Sequence, residues 1–162
     1  MVCPTHTDRP QRWRSSGCFA CGDDPGGLGL TVTTGPGGRA NGIWTVEQRH
    51  QGAAGIAHGG AVAAAFDEVL GAAQVHHVES AVTASLTTDF LRPVPVGAVV
   101  HLDAVVVAYE GRKLHIEGEA RLDAPDGPLA ARARGLFLAV PGEHFTRFGT
   151  EGPQHEAVAH EG

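Results

Sequence analysis

The chain has 162 residues, of which 42% are hydrophobic and 19% are charged, and its formal net charge at pH 7 is −6. This length allows one globular domain with a substantial core, and the acidic balance argues against nucleic-acid binding. No apolar run approaches the roughly 20 residues of a membrane-spanning helix, and the polar N-terminus lacks the apolar segment of a signal peptide. We therefore expect a cytoplasmic protein without nucleic-acid or membrane partners.

The first part of the chain is rich in turn residues and contains two short strand patterns. Residues 1–17 are polar and predict a flexible N-terminal arm, and the glycine-rich segment 18–29 predicts surface turns. Strands are predicted at 28–33 and 40–48 because apolar residues alternate with polar ones there. A glycine-containing loop, residues 50–57, then leads to the longest helical pattern.

That helical pattern, residues 58–77, is the stretch around which the rest is organised. It is rich in alanine, contains no proline, and repeats large apolar residues at helical spacing. Its first amides, at Gly59 and Gly60, have no partner within the helix and lie at the positive end of the helix dipole, so they can hold a developing negative charge. A carboxylate, Asp67, follows two turns later on a face of small residues. This is the outline of a catalytic site.

After the helix the hydrophobic period changes from about 3.6 to 2, which predicts strands. Strand runs are predicted at 82–90, 98–109, 113–122 and 129–140. In the first run, Thr83, Ser85, Thr87 and Asp89 form the predicted polar face. Strand runs after a single helix predict an α+β domain, residues 18–140, followed by a tail at 141–162. An exposed sheet edge favours pairing with a second copy.

Three segments resemble the hotdog-fold acyl-CoA thioesterases, in particular the phenylacetate-pathway type and its mammalian mitochondrial relatives. They are HQGAAGIAHGG, the AAFDEVLG that contains Asp67, and TASLTTDFLRPVPVG. The opening CFACGDDPGGLGL also fits bacterial members, and the many glycines and alanines suggest a bacterial source. The resemblance implies an antiparallel sheet of five to six strands wrapped around one long central helix. It also implies a homodimer or a dimer of dimers, with active sites at the dimer interface.

The activity that the resemblance implies is hydrolysis of an acyl-CoA thioester to a carboxylic acid and free coenzyme A, with no cofactor and no metal. The amide of Gly59 or of Gly60 of one protomer would polarise the thioester carbonyl, and His58 would orient this carbonyl or help to polarise it. Asp67 of the partner would act as nucleophile or as general base for water, and Thr83 of the partner would position the water or the acid.

Four further residues are predicted to contact the substrate: His50, Gln51, Ser85 and Arg92. Some relatives place an asparagine six residues before the histidine, where this chain has Gly52, and Gln51 or His50 is the predicted substitute. Arg92 is a candidate for the phosphates of coenzyme A.

Two other functions stay open from the sequence. The fold can serve as a module that binds an acyl thioester or another apolar ligand without turning it over, because a fold does not fix a function. A hotdog dehydratase or hydratase is the third interpretation, although that chemistry calls for a different pairing of histidine and acid.

The cysteines allow a metal site but do not require one. Cys18-x-x-Cys21, preceded by Cys3-x-x-His6, has the ligand count and pair spacing of a zinc knuckle. The resemblance accounts for Cys18 and Cys21 without a metal, so we predict none. Glu68, about 100° around the helix from Asp67, is expected to be solvated or salt-bridged.

Overall fold

A computed structural model describes residues 11–147 of the chain. Its strands are β1 (Gln11–Trp13), β2 (Thr31–Gly35), β3 (Arg39–Thr45), β4 (Ala81–Phe90), β5 (Val99–Glu110), β6 (Lys113–Leu122) and β7 (Leu129–Ala139). Its helices are α1 (Gly59–Ala73) and α2 (Glu143–Thr146), with short 3-10 helices at Gln48–His50 and Gln74–His76. All strand pairs are antiparallel and form one sheet in the order β1-β2-β3-β5-β6-β7-β4.

The long helix α1 lies across one face of this sheet and contacts every strand from β2 to β7. Its apolar stripe, which includes Phe66, Val69 and Leu70, is fully buried. The sheet makes room for that stripe with glycines. A Cβ on Gly42 would lie 2.6 Å from Val69 Cγ2, and one on Gly118 would lie 2.9 Å from Leu70 Cδ1. The core therefore lies between one helix and the inner face of the sheet.

This architecture confirms the predicted α+β hotdog fold, with seven strands where five to six were expected. The additional strand is β1, which pairs with β2 although it falls in the segment predicted to be a flexible arm. The short helix α2 falls in the segment predicted to be a tail. Residues 1–10 and 148–162 of the predicted arm and tail lie outside the described residues. Within the described part of the chain, no helix is both long and apolar enough to cross a membrane.

Strand β4 forms one edge of the sheet and contains an irregularity that the sequence pattern did not predict. Thr83 stands opposite Phe137 and Ser85 opposite Leu136, so Ala84 is an extra residue that shifts the register. From Ser85 onward, each side chain of β4 therefore lies on the face opposite to the one that strict alternation from Thr83 would give it.

The exchange corrects the predicted polar face. Thr83 shares the inner face with Leu86, whose partner is Gly135, and with Phe90, whose partner is the buried Ala131. Ser85, Thr87 and Asp89 lie on the outer face, where Asp89 forms an ion pair with Arg134. Thr83 and Ser85 therefore face opposite sides of the sheet.

Candidate active site

The predicted acid and its predicted partner are in contact. Asp67 is half-buried on the surface of α1, and Thr83 lies at the start of β4. The Thr83 hydroxyl donates a hydrogen bond to Oδ1 of Asp67 at 2.8 Å. A hydroxyl that donates to a carboxylate oxygen fixes the orientation of the carboxylate and leaves its second oxygen for another group.

The start of α1 is capped by its own histidine. His58 is the N-cap residue, and its Nδ1 accepts a hydrogen bond from the Gly60 amide at 2.8 Å. Because Nδ1 is the acceptor, neutral His58 carries its ring proton on Nε2. The Gly60 amide is already engaged, so Gly59 is the better candidate for donating to a ligand oxygen. His58, Gly59 and Gly60 are all exposed at the helix start.

A mainly apolar cleft of about 280 Å³ opens beside Gly59. It is lined by Ile56, Ala57, Gly59, Val62, Phe90, Leu91, Arg92, Pro93 and Val94. A Cβ on Gly59 would lie 3.4 Å from Cζ of Phe90, so the missing side chain keeps the cleft open toward the helix amide. Arg92, a predicted substrate contact, is the one charged residue of this lining. Phe90 is a lining residue that the sequence analysis did not name, because its place beside Gly59 is a contact between segments about 30 residues apart in the chain.

A larger depression of about 350 Å³ lies on the outer face of the sheet. Its charged lining residues are Asp89, Asp103, Glu117, Glu119, Arg132 and Arg134. Burial, and then the negative charge of Glu119, raises the pKa of Asp103. Hydrogen bonds from Arg132 and Arg121 lower the pKa of Glu119. This depression lies on the side of the sheet opposite to α1, so we assign the candidate site to the smaller cleft.

His50, a predicted substrate contact, is instead part of the interior, with 5% of its surface exposed. Its Nδ1 accepts a hydrogen bond from the Glu47 amide at 2.9 Å, so its Nε2 carries the proton and donates to the Gly27 carbonyl at 3.2 Å. The Arg49 Nε atom, 3.3 Å from the same Nε2, is also a donor, so this contact is not a hydrogen bond. Both ring nitrogens are occupied by backbone groups, and the geometry favours a structural role for His50.

The loop before the helix also explains the glycine at position 52. A Cβ there would lie 2.9 Å from the Cα atom of His58, so this backbone leaves no room for an asparagine. The side-chain carbonyl of Gln51 accepts a hydrogen bond from the Gly55 amide at 2.7 Å and so holds the loop. Ser85, on the outer face of β4, lies on the opposite side of the sheet from Thr83 and Asp67. The geometry therefore does not support the predicted substrate contact of Ser85.

The carboxylate of Glu68 contacts residues that are distant from it in the sequence. One carboxylate oxygen accepts a hydrogen bond from Nε1 of Trp13 at 2.7 Å, and the other lies 3.4 Å from Sγ of Cys18. Burial, and then a hydrogen bond to Glu68, strongly raises the pKa of the neighbouring Cys21 thiol. The expectation of a solvated or salt-bridged Glu68 is therefore wrong, and the carboxylate available to a substrate on this part of α1 is Asp67.

The two halves of the candidate site lie far apart within one chain. Gly59 and Asp67 are eight residues apart on the same helix, which corresponds to about 12 Å along its axis. Reacting groups must come within roughly 3–3.5 Å of the same atom. One copy of the chain therefore does not bring its helix-start amide and its carboxylate to one substrate carbon.

The family model described as "Thioesterase superfamily" matches residues 54–127. The chain is 36% identical over 90 residues to acyl-coenzyme A thioesterase THEM4 of Xenopus laevis, a match that covers 56% of this chain and 40% of that protein. The chain thus spans about two fifths of the length of the curated relatives that it matches.

Two solved structures extend the comparison. A mutant of the phenylacetic acid degradation protein PaaI from Thermus thermophilus is 30% identical, with a TM-score of 0.63, covering 70% of this chain and 95% of that one. The E. coli PaaI protein from the phenylacetic acid degradation operon has a TM-score of 0.65 at 23% identity, covering 70% of this chain and 81% of that one, which supports the fold alone. The family-model match and the similarity over nearly the whole Thermus protein agree: the chain belongs to the hotdog-fold thioesterase superfamily.

Proposed function

We propose that this protein is an acyl-CoA thioesterase, which hydrolyses a thioester to a carboxylic acid and free coenzyme A. The observation that carries the proposal is the hydrogen bond from Thr83 to Asp67, a residue of α1. The first residue of the same helix, Gly59, lines an apolar cleft. The curated relatives of Xenopus laevis and Bos taurus are named acyl-coenzyme A thioesterases, which agrees with this chemistry.

We propose that the site is completed by a second copy of the chain. Strand β4 is ten residues long, and it is an edge of the sheet in the described part of the chain. Thr83 lies near its beginning, beside Asp67, whereas Phe90 lies at its end, beside Gly59. If two β4 strands pair antiparallel about a two-fold axis, the Thr83 end of one strand meets the Phe90 end of the other. The carboxylate of one copy thereby approaches the helix-start amide of its partner.

In this arrangement the chemistry follows from the groups that surround the thioester. The Gly59 amide, at the positive end of α1, stabilises the negative charge that develops on the carbonyl oxygen. Asp67, oriented by Thr83, either attacks the carbonyl carbon or removes a proton from the attacking water. The tetrahedral intermediate then collapses, the carbon–sulfur bond breaks, and the coenzyme A thiolate leaves and takes up a proton. If Asp67 attacks directly, water hydrolyses the resulting anhydride in a second step.

The cleft lining suggests how the substrate lies. The apolar side chains beside Gly59 suit an acyl or pantetheine chain, because burying them under such a chain removes apolar surface from water. Arg92 is exposed at the same cleft and can reach solvent-side phosphate groups of coenzyme A.

Co-expression of two impaired variants tests the shared site. In a dimer of one Asp67→Asn chain and one Gly59→Ala chain, one site carries both substitutions and the other carries neither. Random pairing makes half of the dimers mixed, and each mixed dimer has one intact site, so about one quarter of all sites are intact. We therefore expect about one quarter of the wild-type rate of thioester hydrolysis, measured as free-thiol release from a panel of acyl-CoA substrates. Activity equal to the average of the two separate variants would show that each chain builds its own site.

One observation favours a second candidate, a module that binds acyl thioesters without hydrolysing them. Position 52 has no room for the asparagine that some relatives carry, so this loop departs from their pattern. The same substrate panel separates the two functions. Measurable binding without release of thiol from any substrate would favour the module and overturn the thioesterase.

A further inference from the structure

Two cysteines of the turn before β2 and a glutamate of α1, the residue that follows Asp67, converge at one place. The sulfur atoms of Cys18 and Cys21 and a carboxylate oxygen of Glu68 all lie within 4.8 Å of one another. Cys21 is buried at 6% exposure, and the other two residues are half-buried. Among the histidine, cysteine and acidic side chains of the described residues, these three have ligand atoms close enough together to bind one metal ion.

The turn that carries the two cysteines is held closed by its own backbone. The Cys18 amide donates to the Ser15 carbonyl at 3.1 Å, and the Gly22 amide donates to the Cys18 carbonyl at 2.9 Å. A Cβ on Gly22 would lie 2.4 Å from that same carbonyl oxygen, so only glycine fits there. The Ala20 amide also donates to Sγ of Cys18 at 3.4 Å, which holds this sulfur in place within the turn. Both sulfur atoms are therefore positioned before any ligand arrives.

The carboxylate is positioned from the other side. Nε1 of Trp13 donates to one oxygen of Glu68 at 2.7 Å, which leaves the second oxygen directed at the sulfur atoms. That second oxygen lies 3.4 Å from Sγ of Cys18. A zinc ion with Zn–S and Zn–O distances of about 2.3 and 2.0 Å at a tetrahedral angle separates its sulfur and oxygen ligands by about 3.5 Å. The observed distance between the Glu68 oxygen and Sγ of Cys18 therefore already matches the distance that a tetrahedral zinc site requires.

We propose that Cys18, Cys21 and Glu68 form a zinc site, in which water takes the fourth position. Two sulfur ligands select a thiophilic ion such as Zn²⁺ over Mg²⁺ or Ca²⁺, which prefer oxygen ligands. Binding releases one proton from each thiol, and no electron is transferred. The ion joins the turn before β2 to α1 at the residue that follows Asp67, and the Trp13 contact extends this link to β1. The site therefore fixes the N-terminal segment to the helix, independently of whether the protein hydrolyses thioesters.

The test uses the full chain, reduced and freed of metal with a chelator, and titrates it with Zn²⁺ by calorimetry. We expect one ion per chain, and the same protein with Co²⁺ should develop thiolate-to-cobalt absorption. Cys18→Ser and Cys21→Ser should each weaken zinc binding by about 100-fold or more. Trp13→Phe keeps every ligand but removes the donor that orients Glu68, and changes at such supporting residues cost roughly 10–100-fold in affinity.

Cys3→Ser is the matched control, because it removes the third cysteine and leaves the proposed ligands intact. It should bind zinc like the wild type. A second measurement, alkylation of the wild-type chain followed by peptide mass analysis, covers the case in which the serine variants do not fold. Zinc should protect Cys18 and Cys21 from the reagent and leave Cys3 reactive. Absence of zinc binding to the wild type, or loss of binding in Cys3→Ser, would overturn the proposed ligand set.

Discussion

The hydroxyl of Thr83 lies 2.8 Å from Oδ1 of Asp67 and joins the edge strand β4 to the long helix α1. The acceptor is a carboxylate, so the bond is of the stronger, charge-assisted kind. It ties the proposed catalytic acid to the strand that also forms the exposed edge of the sheet. In the proposed dimer, the same strand would therefore orient the catalytic acid and form the contact between the two copies.

Replacing Asp67 by asparagine should lower turnover by roughly 10²–10⁴, the contribution of a positioned acid or base. The amide keeps an oxygen that can accept the Thr83 hydrogen bond, so the fold and the melting temperature should change little. Steady-state hydrolysis of acyl-CoA substrates measures the effect. Asp89→Asn, on the outer face of β4, is the matched control and should retain activity. An Asp67→Asn protein with unchanged turnover would remove this residue from the mechanism.

Thr83→Val preserves the shape of the side chain and removes only the donor to Asp67. Hydrogen bonds to charged groups contribute about 1.5–3 kcal/mol, so we expect kcat to fall by roughly 10- to 100-fold. KM should change less, because the hydroxyl acts on the carboxylate. Thr87→Val, on the outer face, is the control from the same strand. Equal activity of the two variants would show that the hydrogen bond has no role in catalysis.

Gly59→Ala should separate stability from activity. Alanine favours helix over glycine by about 1 kcal/mol, and its Cβ would meet Phe90 at 3.4 Å, so the fold should persist with an equal or higher melting temperature. The added methyl group lies next to the amide that we assign to the oxyanion, so kcat/KM should fall on the order of 10-fold or more.

Gly71→Ala controls for the helix effect, because its Cβ would make an ordinary 3.6 Å contact with Phe137. This variant should gain stability in thermal unfolding and keep its activity. A Gly59→Ala protein as active as Gly71→Ala would argue against the Gly59 amide as the oxyanion donor.

The outer face of the sheet should contribute to stability at neutral pH through Glu119. Its pKa in the folded chain is lowered from the ordinary value of 4.5 by Arg132 and Arg121. A lowered folded pKa means that the stabilisation is fully present above about pH 4.5 and is lost as the pH falls through the folded value. Glu119→Gln should therefore lower the free energy of unfolding by up to about 1 kcal/mol at pH 7. As the pH falls, the free energy of unfolding of this variant should decrease less than that of the wild type. Urea unfolding at several pH values measures both effects.

Asp103 provides the opposite case on the same surface. It stands directly across from Glu119 in neighbouring strands, and burial together with that negative charge raises its pKa. Asp103→Asn removes the repulsion between the two carboxylates, so it should be at least as stable as the wild type at pH 7. Destabilisation by this substitution would show that the electrostatic attraction of Arg121 and Arg39 outweighs the repulsion.

The sequence pattern predicted the fold well, because each of its signals is local. The alanine-rich run after His58 predicted α1, and the change of hydrophobic period predicted the strands that follow it. The same locality explains what the pattern missed. The three residues of β1 are too few to show a period, and they form a strand because β2 offers an edge for pairing.

The candidate site was predictable where the family resemblance pairs its residues, and not where the partner of a residue is a segment that the resemblance does not pair with it. Asp67 and Thr83 were paired through the family resemblance, and the structure brings them together. The partner of Glu68, Trp13, lies 55 residues away in the chain, and His50 binds the Gly27 carbonyl 23 residues away in addition to the nearby Glu47 amide, so the sequence pattern did not reveal these contacts. No local signal distinguishes a buried histidine that binds backbone groups from one that faces a substrate.

The extra residue at Ala84 has a consequence for the proposed dimer. Thr83 and Phe90 are seven positions apart, an odd number, so a strand with strict alternation directs one of them toward the helix and the other away from it. The inserted residue restores the parity and lets both side chains meet the same helix, one near its middle and one near its beginning. If the same seven-position spacing ran through β4 without the bulge, one of these two contacts would be lost, and two-fold symmetry would impose the same loss on both sites of the proposed pair.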